Sequence, residues 1–281
     1  MKPLLRVAVL VTAASLVLTG CSTQPTTTQP TTTPPATARS APTGGTASSP
    51  GSAGPTGTIT VLAAASLQRT FTTLGERYQR EHPGTTVRFS FAGSSDLVTQ
   101  VRNGAPADVV ATADEATMRK LRAGALADGW PRDFATNTLE IAVAPGNPLR
   151  IHDLRDLTAS DVQLVTCAAP VPCGAATAAV ERAAGVDLHP VSEEQSVTDV
   201  LGKVTSGQAD AGLVYVTDVR GAAGKVDGVR FAAAAKVVNT YPIGVLRDAT
   251  NPALAASFAA SVRSDAGRRV LTDAGFGVPT R

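Results

Sequence analysis

The chain has 281 residues, 43% hydrophobic and only 4% aromatic, enough to bury one large core or two modest ones. The formal net charge is +2, and Lys2 and Arg6 lie in a segment expected to be removed, so the mature chain is near neutral. A near-neutral chain without runs of Lys or Arg argues against nucleic acid as a partner.

The N-terminus reads as a secretion signal over residues 1–20. Lys2 and Arg6 form its basic region, and residues 7–18 are almost wholly apolar. Leu18-Thr-Gly-Cys21 follows and resembles a bacterial lipobox, in which a peptidase cuts before the cysteine and the cysteine is lipidated. A lipid on Cys21 would hold the protein at the outer face of the cell membrane while the rest stays soluble. The alternative is an ordinary signal peptide followed by an unrelated cysteine. Residues 22–56 are almost all Thr, Pro, Ser, Ala and Gly, with one charge, Arg39, and no aromatic residue. Such a stretch cannot bury apolar surface and reads as a disordered tether.

From Gly57 onward strands and helices alternate. Ile59, Val61 and Leu62 are strand formers. Ser66 then precedes a stripe of Leu67, Phe71, Leu74 and Tyr78, one face of a helix. Ser66 therefore sits at a strand-to-helix turn, beside N–H groups with no intrahelical partner and at the positive end of a helix dipole. Such a turn suits an anion, unless Ser66 merely caps its own helix. Residues 85–91 alternate as a strand, and Ala92-Gly-Ser-Ser95 turns into a helix carrying Leu97, Val98 and Val101. Residues 109–112 read as a buried strand, 114–123 as a helix, and 139–144 and 162–166 as strands. Val171-Pro-Cys-Gly174 turns into an alanine-rich helix over 175–184. Ser196-Val197 opens another, with Asp199 placed to complete a capping box. A strand over 211–216 ends near Tyr215. Pro242 interrupts a strand over 239–247, which predicts an edge or a crossover. Helices over 251–262 and 264–274 close the chain.

This alternation predicts an α/β fold of mostly parallel sheets flanked by helices, with ligands beyond the carboxyl ends of the strands. Ser66, Ser94, Cys173 and Val197 all fall there, each at a helix start, and Tyr215 adds a phenolic hydroxyl. Each supplies a hydroxyl or a backbone N–H, and none a fixed cation. If the two halves of the ordered region face each other, these donors surround a small anion.

Ala63-Ala-Ala-Ser-Leu67, Phe91-Ala-Gly-Ser-Ser95, Gly104-Ala-Pro-Ala-Asp108, Val171-Pro-Cys-Gly174, Gly212-Leu-Val-Tyr-Val216 and Tyr241-Pro-Ile-Gly244 together resemble the molybdate-binding proteins of ABC-type importers. The resemblance covers nearly all of 57–281. It implies a periplasmic-binding-protein-like fold of two hinged lobes, 57–138 with 239–281 and 139–238, closing on the oxyanion. It also implies a monomer that serves a membrane permease and uses no cofactor. Molybdate or tungstate would be held through its oxygens, with no direct ligand to the metal. Ser66 and Ser94 match the family's two serines, with Ser95 adjacent to the second. Cys173 stands where the family often has alanine, a departure compatible with a backbone N–H contact. Val197 matches a valine N–H, and Tyr215 matches the tyrosine hydroxyl. Asp108 reads as structural, because a carboxylate beside an anion is unfavourable.

Cys167 and Cys173 flank a stiff segment containing two prolines, and outside the membrane such neighbours usually pair. Two free thiols or a thiolate metal site are the alternatives. Sulfate or another small oxyanion is a rival ligand. Catalysis is a remote rival: His82, His152 and His189 lie away from the turns, and no nucleophile elbow surrounds Ser66 or Ser94.

Overall fold

The structure is a computed structural model and describes residues 54–279. The signal segment, Cys21 and the tether up to residue 53 lie outside the described residues.

Three parallel strands, β1 (Gly57–Ala64), β2 (Thr85–Ala92) and β3 (Val109–Ala111), begin the first sheet in the order β2-β1-β3. Ile59, Val61 and Ala63 are buried in the core on one side of this sheet and Leu62 in the core on the other. That double burial is why β1 reads as a continuous apolar run rather than an alternating one. The first core is built by α1 (Gln68–Glu81), whose Phe71, Leu74 and Tyr78 are buried as the stripe predicts. The second is built by α2 (Ser94–Arg102) and α3 (Glu115–Ala123) through Leu97, Val98, Val101, Met118 and Leu121. Burying each such side chain stabilises the fold by about 1.5–3 kcal/mol.

After β4 (Ala127–Asn137) the chain crosses to a second sheet. There it forms β5 (Leu139–Val143), β6 (Leu164–Cys167), α4 (Pro172–Ala184), β7 (Ser192–Glu194), α5 (Val197–Thr205), β8 (Ala211–Tyr215), α6 (Val216–Gly221) and β9 (Asp227–Val229). This sheet has the order β7-β6-β8-β5-β9 and its own core, with Ile141, Leu164, Val180 and Leu213 fully buried. The chain then returns as β10 (Asn239–Leu246), which enters the first sheet between β3 and β4. α7 (Pro252–Arg263) and α8 (Asp265–Asp273) finish the fold. In each sheet one strand, β10 or β5, runs against the other four. At the two crossings the chain lies beside itself, with Asn137 opposite Asn239 in the β4–β10 pair.

β10 is an interior strand rather than an edge strand, and it begins at the return crossing between the sheets, the crossover position that Pro242 also allowed. The β4–β10 register shifts at Tyr241/Pro242, so the missing N–H falls at an irregularity, while the Pro242 carbonyl still accepts Thr112 N–H at 3.1 Å. α4 begins at Pro172 rather than at 175, proline being suited to a first helical position. Ser196 caps α5 by accepting Asp199 N–H at 3.2 Å. The capping box is not completed, because the Asp199 carboxylate accepts the Ser196 hydroxyl at 2.7 Å instead of the backbone N–H. Asp108 is structural as expected. Its carboxylate accepts Thr60 N–H at 2.7 Å, and the Thr250 N–H and hydroxyl at 2.6 and 2.8 Å, tying β1 to the start of α7. Burial works to raise its pKa, but these donors and Asn251 N–H outweigh it and hold the carboxyl below its usual range.

Candidate binding site

The carboxyl ends of β1, β2, β6 and β7 each feed a helix start, and those starts converge. Ser66 lies in a single 3-10 turn, Ala65–Leu67, between β1 and α1. It makes no cap; its Oγ is 3.1 Å from the Tyr241 hydroxyl. Ser94 is the first residue of α2 and is buried, its Oγ accepting Ala113 N–H at 3.0 Å. Cys173 is the second residue of α4, and Val197 is the first of α5. Tyr215 is the last residue of β8, and its hydroxyl oxygen is 3.1 Å from Asn239 Nδ2.

All five residues line one small cavity of about 10 Å³, together with small neighbours such as Ala64, Ala65 and Ala113. Ser95 does not line it, although its hydroxyl is buried without a hydrogen-bond partner. Among the described residues, no Lys, Arg or His lines the cavity. Positive potential there comes from helix N-termini, whose first N–H groups have no intrahelical acceptor. The halves meet closely: a Cβ added to Gly93, which precedes α2, would lie 2.1 Å from the Gln195 carbonyl oxygen before α5. A wider groove lined by Ser66, Arg69, Thr73, Thr198 and Asp218 opens beside the cavity.

Cys167 and Cys173 form a disulfide with Cα atoms 5.6 Å apart. The bridge joins the end of β6 to the first turn of α4 and removes both thiols from nucleophilic or metal chemistry. His82 packs edge-to-face against Tyr78, ring centroids 4.1 Å apart, and does not line the cavity. The site thus gathers hydroxyls and helix-start N–H groups, donors suited to an anion.

The family model for bacterial extracellular solute-binding proteins matches residues 59–277. The chain belongs to that family. It is 53% identical over 236 residues to the molybdate-binding protein ModA of Mycobacterium tuberculosis, covering 83% of this chain and 90% of the relative. Among solved structures it is similar to the periplasmic molybdate-binding protein of Azotobacter vinelandii, with TM-score 0.70, 22% identity, and coverage of 79% and 100% of the two chains. It is also similar to the sulfate-binding protein SubI of M. tuberculosis, with TM-score 0.62, 20% identity, and coverage of 78% and 86%. These two structures share its fold of paired α/β sheets. Membership places this solute-binding protein outside the cytoplasm, where a structural disulfide persists.

Several groups around the cavity carry no signal in the sequence. Asn137 Nδ2 donates to Thr217 Oγ1 at 2.8 Å and approaches the Tyr241 hydroxyl at 3.5 Å. Asn239 Nδ2 bridges the Ala113 carbonyl and Tyr215. Tyr241 belongs to a motif of the resemblance, yet nothing local ties it to Ser66. Burial raises the pKa of both Tyr215 and Tyr241, so both stay neutral and retain their protons. Asp218, in α6, accepts Tyr215 N–H at 2.9 Å. Burial pushes its carboxyl up to about 7, only partly offset by that N–H and by Arg69.

Proposed function

We propose that this solute-binding protein captures molybdate, and tungstate with it, between two hinged lobes and delivers it to the membrane permease of an ABC importer. The reading rests on one observation: three hydroxyls and two helix-start residues meet at a cavity lined by no cationic side chain among the described residues. The curated molybdate-binding relative supports the choice of ligand. Ser66 and Ser94 donate from the first lobe, 57–138 with 239–281. The N–H groups of Cys173 and Val197 and the Tyr215 hydroxyl donate from the second, 139–238. Each hydrogen bond to the charged oxygens contributes about 1.5–3 kcal/mol. The helix N-termini supply the balancing potential without reorganising. Molybdenum is held as its oxyanion, so no side chain ligates the metal and no cofactor takes part. The protein acts as a monomer, binds without catalysing, and is anchored by lipid on Cys21 after removal of 1–20, with 22–56 as tether.

Calorimetric titration of the full chain with molybdate, tungstate, sulfate and phosphate tests the reading. Saturable binding of molybdate and tungstate is expected, with sulfate weaker by roughly tenfold or more, about 1.4 kcal/mol. Equal or stronger binding of sulfate overturns the ligand assignment.

A further inference from the structure

The directions of the hydrogen bonds behind the cavity hold more information than the contacts themselves. Asn239 Nδ2 lies 3.0 Å from the Ala113 carbonyl oxygen. A carbonyl oxygen only accepts, so the amide atom facing it is the NH2 group, whichever way the amide is first drawn. The same nitrogen lies 3.1 Å from the Tyr215 hydroxyl oxygen. It has protons to give and no lone pair to offer, so Tyr215 accepts there. The single Tyr215 proton is left for the neighbouring Tyr241 hydroxyl or for a ligand, since Tyr215 lines the cavity.

Ala113 does the equivalent for Ser94. Its N–H donates to Ser94 Oγ at 3.0 Å, which leaves that hydroxyl's proton free as well. One backbone residue after β3 therefore anchors both devices, through its N–H on Ser94 and its carbonyl on Asn239. A weaker copy stands behind Ser66. Asn137 Oδ1 accepts Thr138 N–H at 3.1 Å, which fixes that amide and turns its Nδ2 toward the Tyr241 hydroxyl.

We infer that Asn239 is a positioning residue that turns the Tyr215 hydroxyl into a one-way donor aimed at the ligand. This rests on the oxyanion reading above. Asn239 does not touch the ligand; it fills one lone pair of the Tyr215 hydroxyl, so that the proton points away from Asn239 and a ligand competes for it with the Tyr241 hydroxyl alone. It also places that control at the chain crossing, where Asn239 faces Asn137 across the β4–β10 pair.

The test is Asn239→Asp in the full chain. A carboxylate at this place accepts the Tyr215 proton and turns it away from the cavity. Molybdate titration at about pH 8 should show a roughly ten- to hundredfold loss against the parent. Burial raises the new carboxyl's pKa, so lowering the pH to about 5.5 protonates it, removes the strong acceptor facing Tyr215, and shrinks the loss, although its one proton serves Ala113 or Tyr215 and not both. The parent is titrated alongside, because Asp218, Asp114 and Tyr241 all bear on Tyr215, and Arg69 bears on Asp218. At about pH 5.5, where the new carboxyl is neutral, the double variant Asn239→Asp/Tyr215→Phe should bind no more weakly than Tyr215→Phe alone. Parent-like affinity of Asn239→Asp at about pH 8, or losses that multiply in the double variant, overturns the inference. Asn239→Ala supplies the same double-variant comparison if the aspartate variant does not fold, with thermal unfolding as the check. The parent's own titration reports on the ligand assignment, and the variant-to-parent ratio reports on Asn239, so failure of one is distinguishable from failure of the other.

Discussion

The first sheet brings Ser66 and Ser94 to the cavity as side chains, whereas the second brings Cys173 and Val197 to it at helix starts, where the backbone has N–H groups to offer. Both sheets use strand ends followed by helix N-termini, yet the two solutions differ in what they leave free. A hydroxyl donor commits its residue. A backbone donor leaves the side chain available, and in the second sheet Cys173 is available to form the bridge to Cys167. The buried carboxylates differ in the same spirit. Asp108, in the first sheet's domain of packing, is surrounded by donors. Asp218, beside Tyr215 in the second, has one backbone donor and a distant Arg69. Burial is common to both, so the donors decide which way the pKa moves.

That contrast is sharpest in the pH dependence of stability. Asp218 holds its proton up to about pH 7 in the folded protein, and to about 4 in an unfolded chain. Between those values the folded state binds the extra proton. Its burial penalty is therefore absent below about pH 4 and complete above about pH 7, a fall in stability on the order of 4 kcal/mol. Denaturant unfolding across this window should show that component in the parent and lose it in Asp218→Asn. Asp108 has the opposite sign: its stabilisation is present above the ordinary carboxylate range and is lost as pH falls through its depressed pKa. Identical profiles for parent and Asp218→Asn would end the comparison.

Closure can be blocked at Gly93. A side chain there meets the Gln195 carbonyl, and backbone cannot retreat as a flexible side chain can. Gly93→Val is expected to weaken molybdate binding by at least about a hundredfold, near 3 kcal/mol. Small-angle scattering should show ligand-induced contraction in the parent and none in that variant. Binding and contraction at parental levels would mean that the Gly93–Gln195 approach has no part in capture.

The division between side-chain and backbone donors makes a smaller, sharper test. Ser66→Ala and Tyr215→Phe should each cost about 1.5–3 kcal/mol of binding, one to two decades. Val197→Ala keeps its N–H and should cost under about threefold. A Val197→Ala loss as large as the hydroxyl losses would erase the distinction.

The disulfide should matter least for affinity. Its closed loop is short, with a sequence separation of 6, so Cys167→Ala and Cys173→Ala should each cost on the order of 2 kcal/mol of stability. Molybdate affinity should change by less than about threefold in both, because the donor at 173 is backbone. Calorimetric melting and titration of the same samples separate the two effects.

Much of this architecture was legible because its signals are local. Asp114, Asn251 and Ser264 each accept an N–H from the first turn of the following helix, at helix starts the sequence marks. The stripe from Leu67 to Tyr78 is buried as its spacing predicts. β4 was not legible: Ala-Asp-Gly-Trp-Pro-Arg-Asp at 127–133 is polar and irregular, and its strand geometry comes from pairing with β10. The interior place of β10 was hidden for the converse reason, since Pro242 is acceptable only at a register shift that the partner strand creates. At the site, the helix starts follow from short-range pattern, but the groups behind them do not. Ser66 and Tyr241 are separated by 175 residues, and Ala113 and Asn239 by 126. No spacing rule spans such distances, and only the folded sheets bring those pairs together.

A cavity lined by no Lys or Arg among the described residues has a consequence for the waters in which the protein works. Ion pairs exposed to solvent weaken as salt rises, because mobile ions screen them over a Debye length of about 8 Å at physiological ionic strength. Buried dipoles pressed against a ligand leave no room for those ions. Capture by such a cavity should therefore hold its strength from fresh to briny surroundings. Outside the membrane, where the composition of the medium is not under the cell's control, that indifference to salinity is a property a ring of lysines would not provide.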